Sequence, residues 1–268
     1  GEGEAVALAM DRLAVNLGRE IVKLVKGYVS TEVDPRLSFD KEESLVRARR
    51  IIKMYEDEGV GRERVLIKLA ATWEGIMAAA ELEKEGIRCN LTLIFGLVQA
   101  IACAQYGAHL ISPFTGRILD WHKTPDKTTF EPEEDPGVVA CEQMFYYYKK
   151  YGHTTICMPA SWRPSRGAGG GFDLDEIRAL AGSDRMTIPP NLLQQLADST
   201  EPLPQRLKAP DAAAKCVQGE EWGGGKLSEK EFRFRLNQDG CATEKMGEGI
   251  RAFVAETEKL QAAIQSRF

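Results

Sequence analysis

The short run "VLIKLA" (65–70) places Lys68 among Val65, Leu66, Ile67, Leu69 and Ala70. Burying an ammonium costs several kcal/mol unless a partner compensates it. Other chemistry-bearing residues stand at the ends of comparable apolar runs. They are Glu32, Asn90, Thr92, Ser112 and Ser161, with Arg117 and Arg163 close behind. A neutral lysine amine attacks a carbonyl and forms a Schiff base. A carboxylate beside it moves protons through a water. Arginine is permanently charged and offers a fork of donors that fits phosphate. The set therefore predicts Schiff-base chemistry on a phosphorylated sugar.

Each residue taken alone has a plainer reading. A lysine at a strand end is ordinarily a surface or ion-pair residue. Glu32 and Asp34 ahead of Pro35 make a common polar turn. Arg117 and Arg163 have a second reading as structural ion pairs. The functional reading rests on their occurring together.

These residues need a scaffold that brings strand ends to one place. Candidate strands are "GYVSTE" (27–32), "VLIKLA" (65–70), "IRCNLTL" (87–93), "AHLISP" (108–113), "TTICMPAS" (154–161) and "DRMTIPP" (184–190). Helical stretches at 41–59, 72–86, 95–107 and 136–152 alternate with them, and each ends in glycine, a usual C-terminal stop. Asp40 is placed to cap the first of these, with Glu43 three residues on as its capping-box partner. Strand and helix in alternation imply a parallel α/β sheet. A (β/α)8 barrel fits the length and the repeat, and places chemistry at the C-terminal strand ends. A doubly wound open sheet is the alternative, although no GxGxxG follows any strand.

Composition narrows the functional classes. The 268 residues carry a net charge of −5, which argues against a nucleic-acid surface. No apolar run approaches the roughly 18 residues that span a bilayer. The acidic opening "GEGEAVALAM" lacks the basic region of a signal peptide. Six scattered cysteines and three histidines form no metal-binding spacing, and single thiols fit a reducing compartment. "FYYY" (145–148) reads as a core-facing helix surface. "PSRGAGGGF" (164–172) reads as a surface loop, with a phosphate-binding nest as its alternative. "EWGGGKLSEKEF" (221–232) is no P-loop, because Leu227 stands where a Ser or Thr must follow the lysine. Residues 196–226 read as an irregular excursion.

Long stretches now carry a resemblance. "STEVDPRLSFD" (30–40), "LIKLAATWEG" (66–75), "GIRCNLTLIF" (86–95) and "LISPFTGRILDW" (110–121) resemble successive motifs of the transaldolases. "EDPGVVACEQMFYYYKKYG" (134–152), "MPASWR" (158–163) and "EFRFRLNQDGCATEKMGEGIRAFVAETEKL" (231–260) continue it. The resemblance implies a (β/α)8 barrel and a transaldolase of the pentose phosphate pathway. It implies transfer of a dihydroxyacetone unit from sedoheptulose 7-phosphate or fructose 6-phosphate to an aldose phosphate, with no cofactor. By resemblance Lys68 is the Schiff-base lysine, Glu32 the acid/base acting through a water, and Thr92 the residue holding that water. Asn90 binds donor hydroxyls, Ser112 and Phe114 line the pocket, and Arg117, Ser161 and Arg163 hold phosphate. The related fructose-6-phosphate aldolases tend to have glutamine at the position of Glu32 and tyrosine at that of Phe114.

One departure shapes the remaining expectations. The family's Thr-Asn-Pro-Ser motif does not occur, and "EAVALAMDRLAVNLGREIVKLV" (4–25) corresponds to the helix before the family's third strand. The chain is thus expected to be one barrel domain over 1–268 showing only strands three to eight, with two βα units lacking. By resemblance the base for aldol cleavage is an aspartate of the family's first strand, so activity is expected to require that segment from elsewhere. The alternative is a catalytically impaired, transaldolase-like subunit of a larger assembly. A homodimer, or a partner chain over the open barrel edge, is expected. The expected compartment is the cytoplasm or a plastid stroma.

Overall fold

The computed structural model describes residues 2–167, 169–218 and 225–267. Its elements are α1 (Glu2–Leu24), β1 (Val29–Glu32), α2 (Lys41–Asp57), β2 (Val65–Ala70), α3 (Trp73–Lys84) and β3 (Cys89–Ile94). There follow α4 (Leu97–Gln105), β4 (Leu110–Pro113), α5 (Thr115–His122), α6 (Pro136–Lys150) and β5 (Ile156–Cys157). The remainder is helical, with α7 (Asp175–Ala179), α8 (Pro190–Asp198), α9 (Ala212–Lys215), α10 (Glu229–Gln238) and α11 (Gly240–Gln265). The strands form one sheet in the order β1-β2-β3-β4-β5, and β1–β2, β2–β3 and β4–β5 pair in parallel. Sequential order with a helix between neighbours is a repeated βαβ unit, the expected α/β class.

Five strands are described where six were expected. Residues 184–190 form no strand. They run beside β5 through one backbone bond, Thr187 N–H to Pro159 O at 3.0 Å, and the Asp184 carboxylate takes the Cys157 N–H at 3.1 Å. Pro189 and Pro190 then have no N–H to give a ladder, and Pro190 opens α8 instead.

The four glycine stops behave as expected. Gly59, Gly86, Gly107 and Gly152 all take positive φ, between 72° and 84°, where a side chain would be strained. At the other end of α2 the Asp40 carboxylate accepts the Glu43 N–H at 2.9 Å. Residues 196–218 are mostly irregular, with α9 and one 3-10 turn (Ala209–Asp211) among them. The glycine-rich stretch near 169–172 is exposed, and Arg166 beside it is held by Asp175 and the Phe172 ring. Ala168 and residues 221–224 of the two glycine-rich stretches lie outside the described residues.

The chain divides into two compact units. The first comprises residues 1–92, 106–109 and 247–268. Along β2, Val65, Ile67 and Leu69 are buried beneath helices, while Lys68 and Ala70 on the other face are partly open. Alternation puts the polar face of β1–β3 opposite the helix layer. Tyr55 of α2 is fully buried, with its hydroxyl 2.6 Å from Thr31 Oγ1. Gly18 of α1 makes that packing possible, since a Cβ there would lie 1.8 Å from the Tyr55 hydroxyl. The Glu83 carboxylate accepts the backbone N–H of Cys89 and of His109, each at 2.8 Å, and burial pushes its pKa up.

The second unit comprises residues 93–105 and 110–246. Its core is the underside of α4 and α6. Phe145, Tyr146, Tyr147 and Tyr148 are all buried, and the Tyr148 hydroxyl donates to Ala100 O at 2.7 Å. Leu93, a buried non-glycine, takes a φ of 57° where β3 ends. The buried Gln99 amide holds that turn: it donates to Leu93 O and accepts from the N–H groups of Phe95 and Gly96.

Candidate active site

The first unit gathers four of the expected residues. Parallel pairing sets Glu32 opposite Lys68 and Lys68 opposite Asn90, so the three stand side by side on β1, β2 and β3. Side chains at matched positions of parallel strands point to the same face. Lys68 Nζ donates to Glu32 Oε2 at 2.9 Å, which answers the cost of a lysine in an apolar strand. The pair is partly open, with side chains 22% and 30% exposed, so substrate and water can reach it. Asn90 is buried and its Nδ2 donates to Ser30 Oγ at 3.1 Å. Thr92 sits one pleat further along β3, opposite Ala70. It is fully buried and its Oγ1 has no hydrogen-bond partner among the described residues. A buried hydroxyl without a partner is costly unless water or ligand satisfies it.

Just past Glu32, Asp34 caps a single 3-10 turn (Pro35–Leu37) and pairs with Arg36 at 2.5 Å. Burial works against ionisation here, but the hydrogen bonds from Arg36 outweigh it and hold the Asp34 carboxylate below its ordinary range. Asp34 therefore stays an anion and orients the chain leaving β1.

The second unit gathers the other five. Ser112 is buried in β4, and Phe114 is the N-cap residue of α5. Phe114 packs edge-on against Phe95, with centroids 5.8 Å apart, and the Arg117 guanidinium lies 5.1 Å from its centroid on the other contact. Ser161 and Arg163 follow β5 on an irregular segment. Backbone bonds from Thr115 N–H to Ala160 O (3.0 Å) and from Gly116 N–H to Ser161 O (2.8 Å) dock that segment on the first turn of α5. Gly116 has no room for a side chain: a Cβ would sit 2.3 Å from both Ser161 O and Arg163 Cγ. Ser161 itself takes a φ of 63°, a strained value for a non-glycine. Arg163 is exposed and lies 3.5 Å from Asp120. The amides of Thr115 and Gly116 are spent on carbonyls, so neither is left to meet a ligand at this turn.

Sequence reasoning passed over Gly116, Gln99 and Phe253. Gly116 stands inside the "PFTGR" stretch, and a glycine in the first turn of a helix was a readable signal of close backbone approach. Gln99 in an otherwise apolar helix gave a weaker one. Phe253 of α11 carries its ring 5.2 Å from Lys68 Nζ, and its spacing within an amphipathic helix reads only as packing. Among the described residues no group of three or more His, Cys, Asp or Glu could hold a metal ion, and no helix is long and apolar enough to cross a membrane.

Comparison with known proteins gives the family. The family model "Transaldolase/Fructose-6-phosphate aldolase" matches residues 1–264. A transaldolase of Saccharomyces cerevisiae is 51% identical over 269 residues, which cover 98% of this chain and 76% of that protein. A transaldolase of Alteromonas mediterranea is 48% identical over 260 residues, 97% of this chain and 76% of that protein. One of Actinobacillus pleuropneumoniae is 48% identical over 260 residues, with 97% and 77% covered. The family match over residues 1–264 gives no support to the expectation that two βα units of the family are lacking. The chain belongs to the transaldolase/fructose-6-phosphate aldolase family, whose fold is the (β/α)8 barrel.

Proposed function

We propose that this transaldolase acts in the pentose phosphate pathway and moves a dihydroxyacetone unit between sugar phosphates through an imine on Lys68. The observation that carries the reading is the row Glu32–Lys68–Asn90, with Lys68 Nζ 2.9 Å from Glu32. The lysine nitrogen adds its lone pair to C2 of a ketose phosphate such as sedoheptulose 7-phosphate or fructose 6-phosphate. The carbonyl oxygen takes up two protons and leaves as water, giving an iminium. Loss of the C4 hydroxyl proton then breaks the C3–C4 bond, releases an aldose phosphate and leaves its electron pair in an enamine on Lys68. The enamine attacks the aldehyde of an acceptor aldose phosphate, and water returns to C2 to free the product.

Glu32 exchanges the protons of imine formation and hydrolysis through a water. The unsatisfied Thr92 hydroxyl supports its role as the group that holds that water. Asn90 binds donor hydroxyls, and Ser112 and Phe114 line the pocket. Arg117 and Arg163, with Ser161, hold phosphate, in keeping with a helix turn whose amides are already used. Glutamate at 32 and phenylalanine at 114 favour transaldolase over the aldolase branch of the family. No cofactor enters this scheme.

We further propose one barrel domain over residues 1–268 that works as a homodimer or with a partner chain. Leu13, Leu17, Ile21 and Leu24 form an exposed apolar stripe along α1, a surface suited to such contact. All six cysteines are free thiols, as a reducing cytoplasm or plastid stroma allows.

The test is chemical trapping. Borohydride added with fructose 6-phosphate should fix a sugar-derived mass on the wild-type chain and none on Lys68→Met. An unmodified wild type, or equal labelling of the variant, would sink the reading.

A further inference from the structure

Phe253, midway along α11, lies beside the lysine without a part in the scheme above. Phe253 has its ring centroid 5.2 Å from Lys68 Nζ, the atom that Glu32 also holds at 2.9 Å. Further along the helix, Thr257 and Leu260 line with Phe253 a cavity of about 300 Å³, whose other side includes Glu32 and Asp34. Arg36 Nη1 donates to Gln261 Oε1 at 2.7 Å and ties the same helix to the turn that follows Glu32. The helix is thus fastened beside the end of β1 with one aromatic ring presented to the reacting nitrogen.

On α11 the apolar residues before it, Met246 and Ile250, are buried, while Phe253 and the adjacent Val254 are half-buried. An aromatic side chain left partly open beside a cation offers its negative π face, an attraction that an aliphatic side chain cannot supply.

We propose that Phe253 is a positioning residue for the imine step, steadying the positively charged nitrogen that forms on Lys68. The inference rests on the Schiff-base reading. Neutral amine, neutral carbonyl and one proton become a cationic iminium and one water, so positive charge appears at this nitrogen. A ring face aimed at it favours the charged intermediate over the uncharged reactants, and such differential stabilisation accelerates a step.

The experiment uses the full chain as wild type, Phe253→Leu, Phe253→Met and Phe253→Tyr. Each is incubated with saturating fructose 6-phosphate, trapped with borohydride and read by intact mass. Thermal unfolding, kcat and donor KM are measured alongside. Leu and Met should lower the trapped fraction and kcat about three- to tenfold, leave donor KM within about twofold, and Tyr should restore both. Two aliphatic variants guard against one that fails to fold. Equal trapping in all folded variants would overturn the inference while leaving the lysine's role intact. Activity that simply follows thermal stability, Tyr included, would overturn it in favour of packing. Absence of any adduct on the wild type would overturn the Schiff-base reading and this inference with it.

Discussion

Thr92 carries a buried hydroxyl with no hydrogen-bond partner among the described residues. A group of that kind burdens folding by about 1–3 kcal/mol and is retained at functional positions. Valine has nearly the same shape without the hydroxyl. Thr92→Val is therefore expected to unfold at the same temperature or higher, while kcat falls at least about tenfold if Thr92 holds the relay water as proposed. A variant that melts earlier yet turns over normally would show the hydroxyl to be structural. At the phosphate end the expectation concerns KM. Replacing Arg117 or Arg163 by Ala removes charged hydrogen bonds of about 1.5–3 kcal/mol, so KM for sugar phosphates should rise roughly ten- to a hundredfold. Unchanged KM in both variants would move the phosphate site elsewhere.

Among the elements, α6 begins with an unusual cap. Asp135 is fully buried and accepts the N–H groups of Gly137 and Val138, yet its Oδ2 has no partner among the described residues. Burial pushes its pKa up to about 6 despite those bonds. The folded state then holds this proton more tightly than the unfolded chain does. Stability contributed by the group is greatest below about pH 4, declines as pH rises and is lost above about pH 6. Asn keeps the cap without the charge. The gain of Asp135→Asn in melting temperature over the wild type should therefore grow between about pH 4 and pH 6 and level off above, and a gap independent of pH would refute the assignment. Elements were also the most legible level of the sequence. The apolar run at 65–70 became β2 without change, and glycines fixed the ends of four helices, because both signals are local. The segment 184–190 misled, since its β-branched look counted for less than two prolines. Strand register put Glu32, Lys68 and Asn90 in one row, as reading strand ends foresaw. Phe253 was illegible because it comes to the lysine from the far end of the chain, and no local pattern encodes that distance.

For the whole molecule, the exposed stripe of α1 has a measurable consequence. Leu17 is 63% exposed and Leu24 is 86% exposed. Apolar surface of this kind favours association. Light scattering should find the wild type larger than one chain, and Leu17→Glu should lower that mass without lowering the melting temperature. A wild type that stays monomeric at high concentration would remove the reason to invoke a partner at α1. The six thiols lead in a different direction. All are buried, and burial pushes five of them up, Cys141 and Cys241 to about 12 and Cys89, Cys103 and Cys157 also well above the ordinary thiol value. An alkylating reagent consumes only thiolate, so it must wait for the surrounding structure to open. Cys89 lies in the first compact unit and the other five in the second. Peptide-resolved alkylation therefore turns the native cysteines into two separate clocks, one timing the breathing of the segment that bears Lys68 and the other that of the segment that bears Arg117 and Arg163.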